Sequence, residues 1–303
     1  MSLISFINEA LKINSKTKIR KINHFPTDKF ELSIIIRQKI YEKGNECDLN
    51  DIDVSKITDM SGLFHRFSDF NGDISDWDVS HVENMKEMFY HSKFNGDISR
   101  WNVSNVKDMS HMFEWSIFNQ DISKWNVSNV TKMDWMFLHG EFNQPIGDWD
   151  VSNVISMSSM FNQSKFNQDI SKWNLKSLKY IDCMFANCNF NQDISKWRFP
   201  NVKKLTSVFY YNFEFNQDIS GWDVSNVTNM TMLFSHAKKF NQDISGWDIS
   251  NVRDMTAMFD NAISFNQNIS NWKPKQYCET FNMFKNCTLH YKNKPRWVKR
   301  QKD

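Results

Sequence analysis

The chain has 303 residues, with 37 lysines and arginines against 35 aspartates and glutamates, so its formal net charge is +2. This near-neutral balance does not call for a polyanionic partner, and nucleic-acid binding is not predicted from bulk charge. Hydrophobic residues make up 40% and aromatic residues 15% of the sequence, which is too much apolar surface for a disordered chain.

Residues 1–50 do not repeat and are predicted to form an N-terminal helical segment and cap. A second helix is expected after Asp28 and Glu31, which are spaced as a capping box, and Gly44 is expected to end it. We expect this helix to cover the first repeat. An earlier apolar stripe also has helical spacing, and it consists of Leu3, Phe6, Ile7, Ala10 and Leu11.

The beginning of the chain lacks the basic region of a secretory signal peptide, so classical export is not expected. No segment approaches the roughly 18 uninterrupted apolar residues of a membrane helix, and no membrane span is predicted. The five cysteines form no CxxC pair, and Cys183, Cys188 and Cys287 are predicted to be buried reduced thiols. The compartment is left open, with the cytoplasm as the simplest expectation.

A tryptophan repeat dominates residues 51–287. Tryptophan recurs every 24 residues from Trp77 to Trp197 and every 25 residues from there to Trp272. The pattern defines about ten units, which we call coils, the first beginning near Ile52. One unit alone cannot bury its aromatic rings, so neighbouring coils are predicted to stack.

The spacing within one unit predicts its local structure. Apolar residues in 219–227 follow the spacing of leucine-rich repeats. The alternation of Trp222 and Val224 predicts a short strand, and the spacing from Val227 to Phe234 predicts a two-turn helix. The predicted fold class is therefore an α/β repeat solenoid, leucine-rich-repeat-like, with one short parallel strand and one short helix in each coil of 24–25 residues.

Two polar columns accompany the aromatic repeat. The asparagine of each Phe-Asn pair is predicted to form an internal ladder that pairs backbone groups of adjacent coils. The aspartate two residues later is predicted to cap a turn, with a calcium ladder as the alternative. The aspartates of this column are Asp73, Asp97, Asp121, Asp169, Asp193, Asp218 and Asp243.

The predicted strand has an outward column of polar residues. It is interpreted either as a solvated sheet face or as an interaction face, since exposed faces of repeat proteins commonly bind partners. The column consists of Asp78, Asn102, Asn126, Asp150, Asn174, Arg198, Asp223, Asp248 and Lys273.

Aromatic and histidine side chains outside the repeated columns are the second candidate interaction surface. Tryptophan and tyrosine are enriched where interfaces concentrate their binding energy, although partial burial between neighbouring loops would also explain these residues. His91 and His139 lie two coils apart, about 9–10 Å, so no metal site is expected. The candidates are Tyr90, His91, His111, Trp115, Trp135, His139, Tyr210 and Tyr211, with His236 in the same column.

Residues 288–303 form a basic C-terminal tail around Trp297. A solvated terminus is expected, and weak contact with an acidic surface or a nucleic acid is the alternative. No phosphate-binding loop, nucleophile elbow or HExxH motif occurs in the chain, so neither an enzyme nor a cofactor site is predicted.

The unit FNQDISGWDVSNVTNMTMLFSHAKK, residues 215–239, resembles the 26-residue repeat of BspA-like bacterial surface proteins. The resemblance extends over about 52–287, and the segment 30–64 is similar to the one that precedes the first repeat in relatives. It implies a leucine-rich-repeat-like fold and a role in adhesion or interaction. We therefore predict a monomeric, non-enzymatic scaffold that binds protein. The alternatives are a surface adhesin exported by an unrecognised route, an enzyme whose site the repeat hides, and an expanded repeat without a ligand.

Overall fold

The computed structural model describes residues 21–298. These residues contain one α-helix, α1 (Lys29–Lys43), and one 3-10 helix (Tyr291–Asn293). Strand pairing among them is confined to isolated parallel bridges, most of which join residues 24 or 25 positions apart, such as Asn84 and Asp108. The chain is thus wound into coils that lie one on the next. No helix in this part of the chain is long and apolar enough to cross a membrane.

The predicted fold class, an α/β solenoid with one strand and one helix in each coil, is wrong. The described residues form no extended sheet, and the segment from Val227 to Phe234 contains turns instead of a helix. Within it the N–H of Leu233 donates to the carbonyl of Met230, three residues earlier, at 3.2 Å. Met232 has a φ of 54°, a left-handed conformation that interrupts any right-handed helix.

Backbone N–H groups of this segment join neighbouring coils. The N–H of Met230 donates to the carbonyl of Asp254 at 2.8 Å, and that of Met232 donates to the carbonyl of Thr256 at 2.9 Å. An α-helix needs the same donors for bonds to residues four positions earlier. Because these donors point to the next coil, the helical ladder cannot form.

Two residues in most coils have a positive φ, and we call their places the first and second left-handed positions. They lie four residues apart and are occupied mainly by residues other than glycine, with φ between 52° and 60°. The first position holds Gly62, Glu87, His111, Trp135, Ser159, Cys183, Ser207, Met232, Ala257 and Asn282. The second position holds His91, Trp115, His139, Gln163, Asn187, Tyr211, His236, Asn261 and Asn286.

We expect Gln163→Gly to raise the free energy of unfolding by about 0.5–1 kcal/mol, because glycine adopts a positive φ without a steric penalty. Gln163 is exposed and its φ is 55°, so the substitution removes little packing. Lys165→Gly is the matched control at an exposed site with no positive φ, and it should lower the free energy by a similar amount. Denaturant unfolding measures both changes. Equal destabilisation by the two variants would contradict the left-handed assignment.

The coil that contains Asp97 turns at three corners that are built in the same way. At each of them an aspartate or asparagine side-chain oxygen accepts the backbone N–H two residues later, as in Asp97–Ser99 (2.9 Å), Asn102–Ser104 (3.2 Å) and Asp108–Ser110 (2.9 Å). The turn-capping role predicted for the Asp97 column is confirmed. The bond from the Ser99 N–H stabilises the carboxylate and lowers the pKa of Asp97.

Tryptophan and phenylalanine columns fill the interior of the stack. The repeated tryptophans from Trp77 to Trp272 are at most 4% exposed. Each indole N–H donates to a backbone carbonyl of the preceding coil, as from Trp125 to Ile98 at 3.1 Å. The predicted burial of the tryptophans by neighbouring coils is therefore confirmed.

The predicted asparagine ladder is also confirmed. The backbone N–H of Asn143 donates to the side-chain oxygen of Asn119 at 2.9 Å, and the same bond links successive coils from Asn71 to Asn266. Each bond satisfies a backbone donor that lies beside the aromatic core. The ladder thereby keeps the coils in register.

The helix predicted between Asp28 and Gly44 is present as α1 and covers the first coil. Leu32 and Ile36 are fully buried in the core, and Asp28 caps the helix by accepting the N–H of Glu31 at 2.9 Å. The ammonium group of Lys29 donates to the carbonyl of Ser61 at 3.1 Å. The predicted stripe over 3–11 lies outside the described residues.

Candidate functional site

Six aromatic and histidine side chains lie together on the coils that follow the first. We call Tyr90, His91, His111, Trp115, Trp135 and His139 the aromatic–histidine surface. All except Tyr90 occupy left-handed positions, and Tyr90 immediately precedes one. Trp115 is 48% exposed and Trp135 is 37% exposed, in contrast to the buried tryptophans of the core.

The rings of this surface stack on one another. Trp115 lies 3.7 Å from His139 between ring centroids, at an interplanar angle of 13°, and 6.3 Å from His91 on its other side. Trp135 stacks on His111 at 4.6 Å. Each tryptophan is therefore held by a neighbouring coil. Trp115 thus has a ring on each side, with His139 stacked on it and His91 tilted against it by 33°.

Glu114 is a buried acid between the two left-handed columns. Its carboxylate is hydrogen-bonded to Nδ1 of His111, and it is 8% exposed. Burial lowers the pKa of His139, and the negative charge of Glu114 opposes that shift. His139 is consequently favoured in its neutral form, which suits its stacking on Trp115.

Sequence reasoning did not identify Glu114. Its column follows the second buried phenylalanine of each coil and holds residues as different as Tyr90, Leu138 and Tyr210. The signal available in the sequence was an acidic residue placed directly after a core phenylalanine and three residues after a histidine. Such a carboxylate needs a cationic or hydrogen-bonding partner.

Tyr210 and Tyr211 belong to a separate cluster. Tyr211 stacks on His236 with a centroid distance of 4.0 Å and an interplanar angle of 9°. The second left-handed positions between the two clusters hold Gln163 and Asn187, so the ring ladder is interrupted. The structure thus divides the predicted aromatic candidates into two groups.

Most side chains of the predicted outward column form hydrogen bonds to the backbone at the turns of the coils. Arg198 donates through its guanidinium to the carbonyls of Ser195 at 3.2 Å and Trp197 at 2.7 Å. Within residues 21–298, no hydrogen bond or ring contact joins this column to the aromatic–histidine surface. The seven aspartates and asparagines of the column each accept a backbone N–H at a corner: Asp78, Asn102, Asn126, Asp150, Asn174, Asp223 and Asp248.

No group of three or more histidine, cysteine, aspartate or glutamate side chains in the described part of the chain could hold a metal ion. The five cysteines are free. Cys188 is buried, and burial raises the pKa of its thiol to about 12, whereas Cys183 and Cys287 are half-buried. A thiol with so high a pKa is a poor nucleophile at neutral pH.

A family model described as "Mycoplasma protein of unknown function, DUF285" matches three overlapping stretches, residues 36–141, 115–211 and 184–297. Together these stretches cover more than half of the chain and include the repeated coils. No curated protein and no solved structure matches the chain. The repeat nature predicted from the tryptophan spacing is confirmed, while the resemblance to BspA-like proteins stays a prediction.

Proposed function

This chain belongs to the repeat family described as "Mycoplasma protein of unknown function, DUF285", and we propose that it is a non-enzymatic scaffold that binds another protein through the aromatic–histidine surface. The exposure of Trp115 and Trp135 is the observation that carries the proposal. Tryptophan is among the residues that contribute most binding energy at protein interfaces. The stacked histidines restrict these rings before a partner arrives, which reduces the entropy lost on binding.

The rings on both sides of Trp115 favour a protein over a carbohydrate partner. The C–H groups of a sugar pack against open faces of aromatic rings, and Trp115 has His139 and His91 beside its two faces. A half-exposed tryptophan, which combines an apolar ring with a polar N–H, suits the mixed apolar and polar surface of a protein. The neutral form favoured for His139 adds a hydrogen-bonding group without a charge.

Combined replacement of Trp115→Asn and Trp135→Asn should remove the partner while the scaffold remains folded. Asparagine suits both sites because Asn187 occupies the second left-handed position elsewhere and Asn282 the first. We expect the dissociation constant of the captured partner to rise at least tenfold, as loss of one interface anchor commonly does. The measurement is quantitative affinity capture followed by titration of the purified partner.

Tyr180→Ala is the matched control, since Tyr180 is 54% exposed and lies outside the aromatic–histidine surface. It should leave the dissociation constant unchanged. Circular dichroism and thermal unfolding establish that all variants are folded. Retention of the partner by the double asparagine variant would rule out this surface as the binding site.

A further inference from the structure

The last coil ends the stack with open backbone donors. In the preceding coil the N–H groups of Ala257 and Phe259 donate to the carbonyls of Phe281 and Met283, at 2.8 and 2.9 Å. Among the described residues, which end at 298, no further coil follows this one to receive the same bonds. In the last coil the N–H groups at the equivalent positions, those of Thr280, Asn282, Phe284 and Asn286, have no acceptor among residues 21–298.

This edge offers donors without matching acceptors. The carbonyls of Thr280, Asn282 and Phe284 each accept an N–H three residues later within the coil, at 3.0, 3.1 and 3.2 Å. Two such edges placed against each other would bring donors against donors. A ligand for the edge must therefore supply acceptors, such as peptide carbonyls or carboxylates.

The positive charge around the edge also favours a ligand that carries carboxylates. Residues 273–298 contain a single acidic residue, Glu279. A positive excess on one end of the molecule attracts negatively charged partners even though the whole chain is nearly neutral. The basic residues of this segment are Lys273, Lys275, Lys285, Lys292, Lys294 and Arg296.

An apolar groove runs beside the open donors. It encloses about 500 Å³, and its apolar lining includes Pro274, Tyr277, Phe281 and Trp297. Lys273, Gln276 and Glu279 also line it. Tyr277 is 74% exposed and Phe281 is 64% exposed. Donors at alternate residues next to apolar pockets are the features that bind an added extended segment.

The opposite end of the stack is closed to a second copy. There, α1 lies over the first coil, and Lys29 donates to the carbonyl of Ser61, with its ammonium 2.8 Å from Asp59. Head-to-tail addition of another molecule would have to displace this helix and bury its charges. The open end therefore fits a different chain better than another copy of this one.

We propose that the C-terminal end of the stack binds an extended acidic segment of another protein. Carbonyl and carboxylate oxygens of that segment accept the four open N–H groups of 280–286. Its apolar side chains enter the groove beside Tyr277 and Phe281, and its acidic side chains face the surrounding lysines. This site is distinct from the aromatic–histidine surface and does not depend on it.

The test uses a fluorescent peptide in which glutamate and valine alternate, titrated with the full chain by fluorescence anisotropy. We expect saturable binding that weakens with salt. Lys273→Glu combined with Lys275→Glu should raise the dissociation constant roughly tenfold, and Phe281→Ser should raise it by a similar factor. The matched control, Lys124→Glu with Lys196→Glu, changes charge equally at exposed sites in the middle of the stack and should have little effect.

Thermal unfolding of each variant establishes that the end coil is still folded. Absence of peptide binding, or equal effects of the two double charge reversals, would overturn the proposal. Equally tight binding of the peptide with glutamine in place of glutamate would overturn its acidic character. Tighter binding of single-stranded oligothymidylate with the same dependence on Lys273 and Lys275 would assign the end to nucleic acid instead.

Discussion

Replacing Trp149 by alanine is expected to lower the free energy of unfolding by about 3–5 kcal/mol, the range for truncating a large buried aromatic side chain. Trp149 is 4% exposed, and the coils on either side hold its ring. Its indole N–H also donates to the carbonyl of Ile122 at 3.1 Å. The substitution therefore creates a cavity and removes one of the two hydrogen bonds that the carbonyl of Ile122 accepts, the other coming from the backbone N–H of Trp125. Denaturant unfolding monitored by circular dichroism measures the loss.

Trp149→Phe separates these two effects. Phenylalanine restores most of the ring volume but cannot donate to the carbonyl of Ile122, which keeps the bond from the Trp125 N–H, so we expect a loss of about 0.5–1.5 kcal/mol. Tyr180→Ala, at a ring that is 54% exposed, should change stability by about 0.5 kcal/mol or less. Comparable losses at the buried and exposed rings would contradict the packing of the core.

Deletion of residues 125–148, one complete coil, should give a soluble protein that unfolds cooperatively. Each coil contacts only its neighbours, so the two flanking coils can stack directly. The N–H of Asn167 would then meet the side-chain oxygen of Asn119, and Trp149 would occupy the level of the removed Trp125. We expect a single unfolding transition close to that of the full chain.

Deletion of residues 125–136, half a coil, should have a far larger effect. It removes the tryptophan and the turn residues of the coil to which Phe137 and Phe142 belong. The remaining half-coil must leave the core as a loop with exposed phenyl rings, and we expect aggregation or loss of the single transition. Size-exclusion chromatography and thermal unfolding distinguish the two deletions, and similar behaviour of both would contradict stacking in register.

The repeated side-chain environment could be predicted from the sequence. Identical residues at intervals of 24 or 25 need identical surroundings, so the burial of Trp222 and the pairing of Asn216 follow from stacking alone. The caps at Asp97 and its equivalents could be predicted because a short acidic side chain pairs readily with the N–H two residues later.

The backbone path could not be predicted from the same spacing. Met230, Leu233 and Phe234 have helical spacing, yet consecutive three-residue turns separate apolar residues in the same way. The difference lies in the direction of backbone hydrogen bonds, which the side-chain pattern does not encode. A further signal was present in the aspartate or asparagine placed two residues before a serine, as at 97–99, 102–104 and 108–110, which predicts the three turns of that coil.

Part of the candidate site could also be predicted. Trp115 and Trp135 depart from the repeated columns, and their exposure follows from that departure. Their stacking on histidines could not be predicted. It depends on backbone positions with a positive φ, and a tryptophan or histidine in the sequence does not indicate such a position. The open donors of the last coil could not be predicted from the sequence either, because the direction of the N–H groups follows from the backbone path.

The side chain at the second left-handed position can vary while the interior of the coil stays the same. It accepts Trp115, Gln163, Asn187 and Tyr211 in otherwise similar coils, so its occupant is not dictated by the interior. A substitution at this position in one coil is therefore expected to change the exposed surface at that level without disturbing the stack. Because the positions lie about one coil apart, the side chains along this column can be exchanged independently of one another.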